Sequence, residues 1–433
     1  MMRRTWILAF AAFAGCTCKR PGGSEPGASA SVSAAPSASV IQAQAAARGP
    51  FRHSLPLAAT VSREGVVVAA ALAVKDKSVD LLTFSPTEPK VAAAMVPAAW
   101  KSDAELRFFG HEGTAQVLLF RGEVDGQVGR FATWLDAAGA VAKKPAMVGA
   151  GACLAGASLY WVDAQGQLRS RGPDGEQKSL RLPAVDDPQW SLVCGTADVW
   201  LSSDGDDGLS VTKVTGAKSH GKLEAAFAAT DLDPDNTREV HALADGDHVA
   251  FVGLGSAGKV LWRPRREAVP RVLQSTLGEG DDVVALDAHD GGLLAVFTRE
   301  VQTDAGDRGE VCQAVSAVVV GKDRERVISL ASAGCGRTRG PFFVSALGDG
   351  RRMVSWVERR SNKGLGLPAV AGLGYAVVAG DTDAASGGFL TFESDGLVDA
   401  GCFRGRCAAV GLIRPAGATD DAQPGAVEVR WYP

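Results

Sequence analysis

The sequence predicts an all-β protein, an eight-bladed β-propeller behind a disordered N-terminal tether, and three observations carry that prediction. First, one pattern recurs eight times: a short strand of small and apolar residues, a tight turn holding Gly or Asp, and a more hydrophobic strand. Second, the turn glycines of these copies, Gly65, Gly113, Gly156, Gly195, Gly246, Gly291, Gly350 and Gly405, recur at an average spacing of about 49 residues, which fits one four-stranded blade per unit and not a solenoid of short coils. Third, runs such as VVVAAALA, QVLLF and HVAFVG have strand length and are bounded by turn residues, while the helical period is scarce. Seven blades, with one repeat miscounted, is the alternative.

Composition narrows the function classes. The chain has 433 residues, of which 46% are hydrophobic and 22% charged, so it can bury a large core. Its 45 Lys plus Arg against 49 Asp plus Glu give a formal charge of −4, which argues against a general affinity for nucleic acid.

Residues 1–15 read as a signal peptide. Arg3 and Arg4 precede an apolar run from Trp6 to Ala14, which is too short to span a bilayer comfortably, and small residues lead up to Cys16. The end of this segment, Phe13-Ala14-Gly15-Cys16, resembles the lipobox of bacterial lipoproteins, with Phe13 where Leu is usual. The resemblance implies a lipidated Cys16 as the first residue of the mature chain. Because Thr17, not Asp, follows the cysteine, it also implies an outer-membrane lipoprotein of the cell envelope. Residues 16–50 then form the lipidated cysteine and a tether of Ala, Ser, Pro and Gly, too poor in large apolar residues to offset its ordering entropy. The propeller domain is expected over 51–433. The terminal strand VEVRWYP is expected to close the ring beside a segment near residues 40–56, since an open ring leaves strand edges exposed.

The eight copies run LAATVSREGVVVAAALA, LRFFGHEGTAQVLLF, GACLAGASLYWV, SLVCGTADVWLS, VHALADGDHVAFVG, ALDAHDGGLLAVF, FFVSALGDGRRMVSWV and AGCFRGRCAAVGLI. In five of them an aromatic follows the turn glycine closely, namely Trp161, Trp200, Phe251, Phe297 and Trp356, as packing between stacked sheets requires. After the second strand of each unit the connection is brief in the third copy (DAQG) but long in the second, sixth, seventh and eighth (RGEVDGQ, REVQTDAGDRGE, RRSNKGLG and RPAGATDDAQPG). Such connections leave a propeller on one face, which makes that face the candidate binding surface. Its charged candidates are Glu300, Asp304, Asp307, Arg308, Arg359, Arg360 and Lys363.

Of the eight cysteines, six lie in the domain and fall by position into Cys153 and Cys194, Cys312 and Cys335, and Cys402 and Cys407. Disulfides in an oxidising compartment are the expected state, although six cysteines allow about fifteen pairings. Zinc competes as a reading, but no C-x-x-C occurs and the histidines lie outside ligand spacing. Asp231, Asp233 and Asp235 have the spacing of a calcium loop, yet Asn236 and Ala242 stand where an EF-hand needs its Gly and Glu. Calcium held with backbone carbonyls is therefore the one cofactor the sequence admits, and none is predicted.

The string Gly253-Leu254-Gly255-Ser256-Ala257-Gly258 matches a dinucleotide fingerprint, but KVLWRP follows it as a strand where a helix is needed. The acidic run from Asp204 to Gly208 reads as a turn. No H-E-x-x-H or G-x-S-x-G motif occurs. Two function classes remain: a membrane-tethered binding or assembly platform whose partner is an envelope protein or glycan, and a glycosidase- or lyase-like envelope enzyme with its site at the propeller axis.

Overall fold

The computed structural model describes the strands from residue 44 onward and many of the turns between them. Residues 1–43 and several connections, among them 229–237, 253–258, 303–310, 361–369 and 414–425, lie outside the described residues. Ser39–Pro433 forms one compact unit. Every regular element described is a strand, and the described strands form eight antiparallel sheets, seven of them built from strands consecutive in the chain and the eighth also taking in the first described strand, Gln44–Arg48. The chain has a propeller-type all-β fold.

We number the sheets in chain order. Sheet one spans Ala58–Val61 to Val91–Val96 and sheet two spans Ala99–Trp100 to Ala146–Val148. Sheet three spans Cys153–Ala155 to Gln177–Leu180, sheet four spans Trp190–Cys194 to Glu224–Ala228, and sheet five spans Arg238–Ala242 to Arg271–Val272. Sheet six runs from Asp281–His289 to Glu325–Cys335, sheet seven from Arg337–Gly348 to Ser386–Ser394, and sheet eight from Val398–Phe403 to Ala426–Tyr432. The eight sequence copies are the first hairpins of these sheets. Gly156, Gly350 and Gly405 turn three of them at φ of 60°, 76° and 76°, a region that glycine enters without the Cβ penalty.

Successive sheets meet through their first strands and faces. Sheet six meets seven, seven meets eight, and the first strand of sheet eight returns to that of sheet one, which closes the ring. Closure also uses the first and last of the described strands. The segment Gln44–Arg48, which composition places at the end of the tether, is a strand here, antiparallel to Ala426–Tyr432 with Arg48 opposite Ala426. The terminal strand thus gains a partner on each side.

Alternating residues of each sheet build apolar seams with its neighbours. Leu81 and Val96 of sheet one pack with Leu118 and Phe120 of sheet two, and Leu294 and Val296 of sheet six with Val354 and Trp356 of sheet seven. Burying each such side chain contributes roughly 1.5–3 kcal/mol. The recurring aromatics serve this packing. Trp161, Trp200, Phe297 and Trp356 are buried, while the side chain of Phe251 lies outside the described residues. Two of the indoles lie close against glycine: a Cβ at Gly149 would stand 2.0 Å from the Trp161 ring, and one at Gly374 would stand 2.3 Å from Trp356.

One expected loop is absent. RGEVDGQ is not a long connection: the strands Gln116–Val124 and Gln127–Leu135 continue through it and turn on Asp125 and Gly126 alone. Those two residues have φ of 51° and 77°, as a two-residue turn matched to strand twist requires. The fingerprint string 253–258 joins two antiparallel strands, with Val252 paired to Lys259, so a hairpin stands where a nucleotide site would need a helix. The acidic run likewise joins two strands, with Gly205 opposite Gly208.

Candidate binding face at the ends of sheets six and seven

In sheets six and seven the second strands, Gly292–Gln302 and Arg351–Arg360, are among the longest in the chain, and they lead into the connections 303–310 and 361–369. The strand ends at this face carry a dense set of charges, because alternation places charged residues where the sheet emerges from its apolar seam.

In sheet six, Arg299 lies opposite Asp281 in register, and its Nε and one terminal nitrogen donate to the two carboxylate oxygens at 2.7 and 2.6 Å. Asp281 is fully buried in its side chain, and its hydrogen bond raises the pKa of Arg299. The pair is a closed fork.

In sheet seven, Arg337 stands opposite Arg360, Thr338 opposite Arg359, and Arg339 opposite Glu358. Glu358 is buried and accepts from Arg337 at 2.8 Å, from Arg339 at 3.1 Å and from the indole N–H of Trp356 at 3.3 Å. Burial pushes this carboxyl up, but the hydrogen bonds from Arg337 and Trp356 and the charges of Arg339 and Arg337 outweigh it and hold the pKa below the usual range. Arg339 is committed to structure. It also donates to the carbonyls of Ser332, at 3.0 Å, and of Gln313, and its backbone N–H donates to the Gln313 side chain at 3.0 Å. Gly334 makes room for it, since a Cβ there would lie 3.0 Å from the guanidinium. One buried cation thereby ties the end of sheet seven to sheet six. Arg359 is half-buried beside this network, and loss of water lowers its pKa.

All three cysteine pairs are disulfides. Cys153–Cys194 joins the first strands of sheets three and four, Cys402–Cys407 bridges the first hairpin of sheet eight, and Cys312–Cys335 ties the third and fourth strands of sheet six beside Gln313.

A separate polar group lies at the ring closure. Asp399, on the first strand of sheet eight, accepts the N–H of Ala59 in sheet one at 2.8 Å and that of Ala400 at 2.9 Å. Burial pushes its carboxyl up to about 6 despite those two donors. On the other flank of sheet eight, Tyr432 shares a 2.8 Å hydrogen bond with Ser355 of sheet seven, and burial raises the phenol's pKa.

Of the residues singled out from sequence, the fold brings Glu300, Arg359 and Arg360 to this face, with Glu300 exposed. Asp304, Asp307, Arg308 and Lys363 lie outside the described residues, as do Cys16 and the three aspartates Asp231, Asp233 and Asp235. Among the described residues no group of three or more His, Cys, Asp or Glu side chains is placed to hold a metal ion. Sequence reading missed Asp281, Arg299, Arg337, Arg339, Glu358 and Asp399. The one local signal was the Arg-x-Arg at the start of sheet seven, which puts two guanidinia on one face of a strand.

No family model and no curated protein matches the chain. Solved structures similar to it include a prolyl endopeptidase (12% identity, TM-score 0.46, covering 82% of this chain and 54% of that one). They also include prolyl oligopeptidase B from Galerina marginata (7%, TM-score 0.42, 88% and 52%) and a eukaryotic initiation factor (11%, TM-score 0.41, 93% and 92%). The chain spans about half the length of the first two. At these identities the likeness concerns fold alone.

Proposed function

We propose that this chain is an envelope lipoprotein, anchored through a lipid on Cys16, whose propeller serves as a binding or assembly platform for an envelope protein or glycan. The observation that supports this best is the use made of charge at the ends of sheets six and seven. The buried carboxylates there are clamped by guanidinia, Asp281 by Arg299 and Glu358 by Arg337 and Arg339. They tie together the strand ends that lead into the connections, which suits a fixed recognition surface. Arg359→Ala combined with Arg360→Ala should reduce cross-linking to an envelope partner while lowering stability by less than about 1 kcal/mol. Palmitate labelling should depend on Cys16, and Cys16→Ser should release soluble protein. Unchanged cross-linking by the double variant would refute the platform, and labelling that persists in Cys16→Ser would refute the anchor.

Asp399 favours the enzyme reading. It is a recessed carboxyl on a first strand with its pKa pushed up to about 6, the property that a general acid needs. Its hydrogen-bond partners are two backbone N–H groups, so the paired carboxylate of a glycosidase would have to come from positions elsewhere. Turnover of a glycan or peptide by the purified protein, abolished in Asp399→Asn, would replace the platform with an enzyme.

A further inference from the structure

We infer that Cys335 is a site of thiol exchange: a low-molecular-weight thiol attacks it, opens Cys312–Cys335, and so releases the lock that holds sheet seven to sheet six. The two cysteines differ in access. Cys335 ends the fourth strand of sheet six and is exposed, whereas Cys312, directly opposite it in register, is 0% exposed. Neither of the other bridges has an exposed member: Cys153, Cys194 and Cys402 are half-buried, and Cys407 is 0% exposed. Access decides which sulfur an incoming thiolate attacks, and exposed disulfides are the labile ones. The step is a displacement at the Cys335 sulfur. A bond forms between it and the incoming sulfur, which is oxidised; the bond to Cys312 breaks, and Cys312 is reduced. Cys312 leaves as a thiolate and takes up the proton that the incoming thiol gave up. A second thiol can then attack the mixed disulfide, free Cys335 as a thiol and depart as the disulfide of the two small molecules.

What the bond holds follows from the register around it. The pairing of the third strand with the fourth shifts between Gln313 and Val315 and again between Val315 and Ser316. Only two pairs, Gln313 with Gly334 and Cys312 with Cys335, lie beyond these irregularities, and a bulge disrupts the ladder locally. The disulfide is the covalent hold on this stretch. Arg339 draws its partners in sheet six from the same place. Its backbone N–H donates to Oε1 of Gln313 at 3.0 Å, and its guanidinium donates to the carbonyls of Gln313 and, at 3.0 Å, of Ser332. Gly336 alone separates Cys335 from the strand Arg337–Gly348. Once the bond is cut, two register pairs hold these acceptors in place. Arg339 then keeps Glu358, its partner within sheet seven, and its ties to sheet six loosen.

The test uses the full chain carrying Cys16→Ser and Cys18→Ser, so that the remaining cysteines are those of the three disulfides. The folded protein is treated with reduced glutathione, quenched with acid at early times, unfolded, alkylated and mapped by peptide mass spectrometry. Cys335 should carry glutathione and Cys312 the alkyl group, about tenfold or more faster than either other bridge opens. Glutathione on Cys312, earlier opening of another bridge, or no reaction at all overturns the assignment. Where full reduction outruns the mixed disulfide, two single variants assign the sulfur. With oxidised glutathione, Cys312→Ser should form the adduct about tenfold or more faster than Cys335→Ser, and equal rates overturn the assignment. The lock is read from amide hydrogen exchange by NMR. Exchange at Arg339 should rise about tenfold when the bridge is opened, for the loss of one hydrogen bond, and fall again on reoxidation, with Gln116–Val124 of sheet two unchanged. Unchanged exchange at Arg339, or an equal rise in both sheets, overturns the lock.

Discussion

Asp399→Asn offers the sharpest physical test of the ring closure. The carboxyl has an ordinary pKa of 3.8 and is pushed up to about 6 where sheets eight and one meet. At about 1.36 kcal/mol per pH unit, the folded protein disfavours the ionised form by about 3 kcal/mol relative to the unfolded chain. The direction follows from proton counting. Between the two pKa values the folded state holds a proton that the unfolded state has released, so this group's contribution falls as pH rises and is fully unfavourable above the folded value. Over about pH 4 to pH 7 the parent should lose about 2 to 3 kcal/mol that the Asn variant does not. Absolute stabilities will differ for another reason: the two carboxylate oxygens each accept one N–H, from Ala59 and Ala400, and an amide can serve only one of them. The difference in slope is free of that offset. Urea denaturation of parent and variant across this range measures it. Parallel stability curves would show that Asp399 is solvated like an ordinary surface carboxylate, and the closure would then lack the buried acid described above.

Glu358→Gln should cost about 3–5 kcal/mol, because it strands the buried Arg339, whereas Glu300→Gln on the same face should cost under about 0.5 kcal/mol; chemical denaturation compares them. Removing Cys153–Cys194, whose cysteines are 41 residues apart, should cost about 4 kcal/mol and removing Cys402–Cys407, 5 apart, about 2 kcal/mol by loop closure, so equal losses in paired Cys→Ser variants would contradict that ranking. Gly374→Ala should destabilise by about 1–3 kcal/mol by driving a methyl into the Trp356 ring, and a melting curve unchanged from the parent would show that the indole can move aside.

Much of the architecture was legible in the sequence, because it depends on a local unit repeated along the chain. Each first hairpin carries its own alternation and its own turn residue, so eight copies could be found without knowing any contact. The two-residue turn at Asp125 and Gly126 was legible too, since Asp-Gly between strand residues is a strong hairpin signal; its charged flanks resemble loop and obscured it. The charged face was only half visible. Arg359 and Arg360 stand out as a basic pair, but what makes the site is register: Arg339 meets Glu358 across a hairpin and Gln313 from another sheet, relations that no spacing in the sequence encodes. Asp399 was invisible for the same reason, since its partner Ala59 is 340 residues away and contributes only a backbone N–H.

The pairing of Gln44–Arg48 with Ala426–Tyr432 also governs how the protein can be made. The first strand leaves the ribosome, and any export channel, long before its partner exists. It must stay unpaired until Ala426–Tyr432, more than 370 residues later in the sequence, has been made. A product that stops short of Ala426 therefore keeps an open ring with raw strand edges, which proteases and chaperones recognise. A chain stalled before Ala426 should be degraded throughout under limited proteolysis, and a stalled chain that resisted cleavage as the finished protein does would show that closure is dispensable.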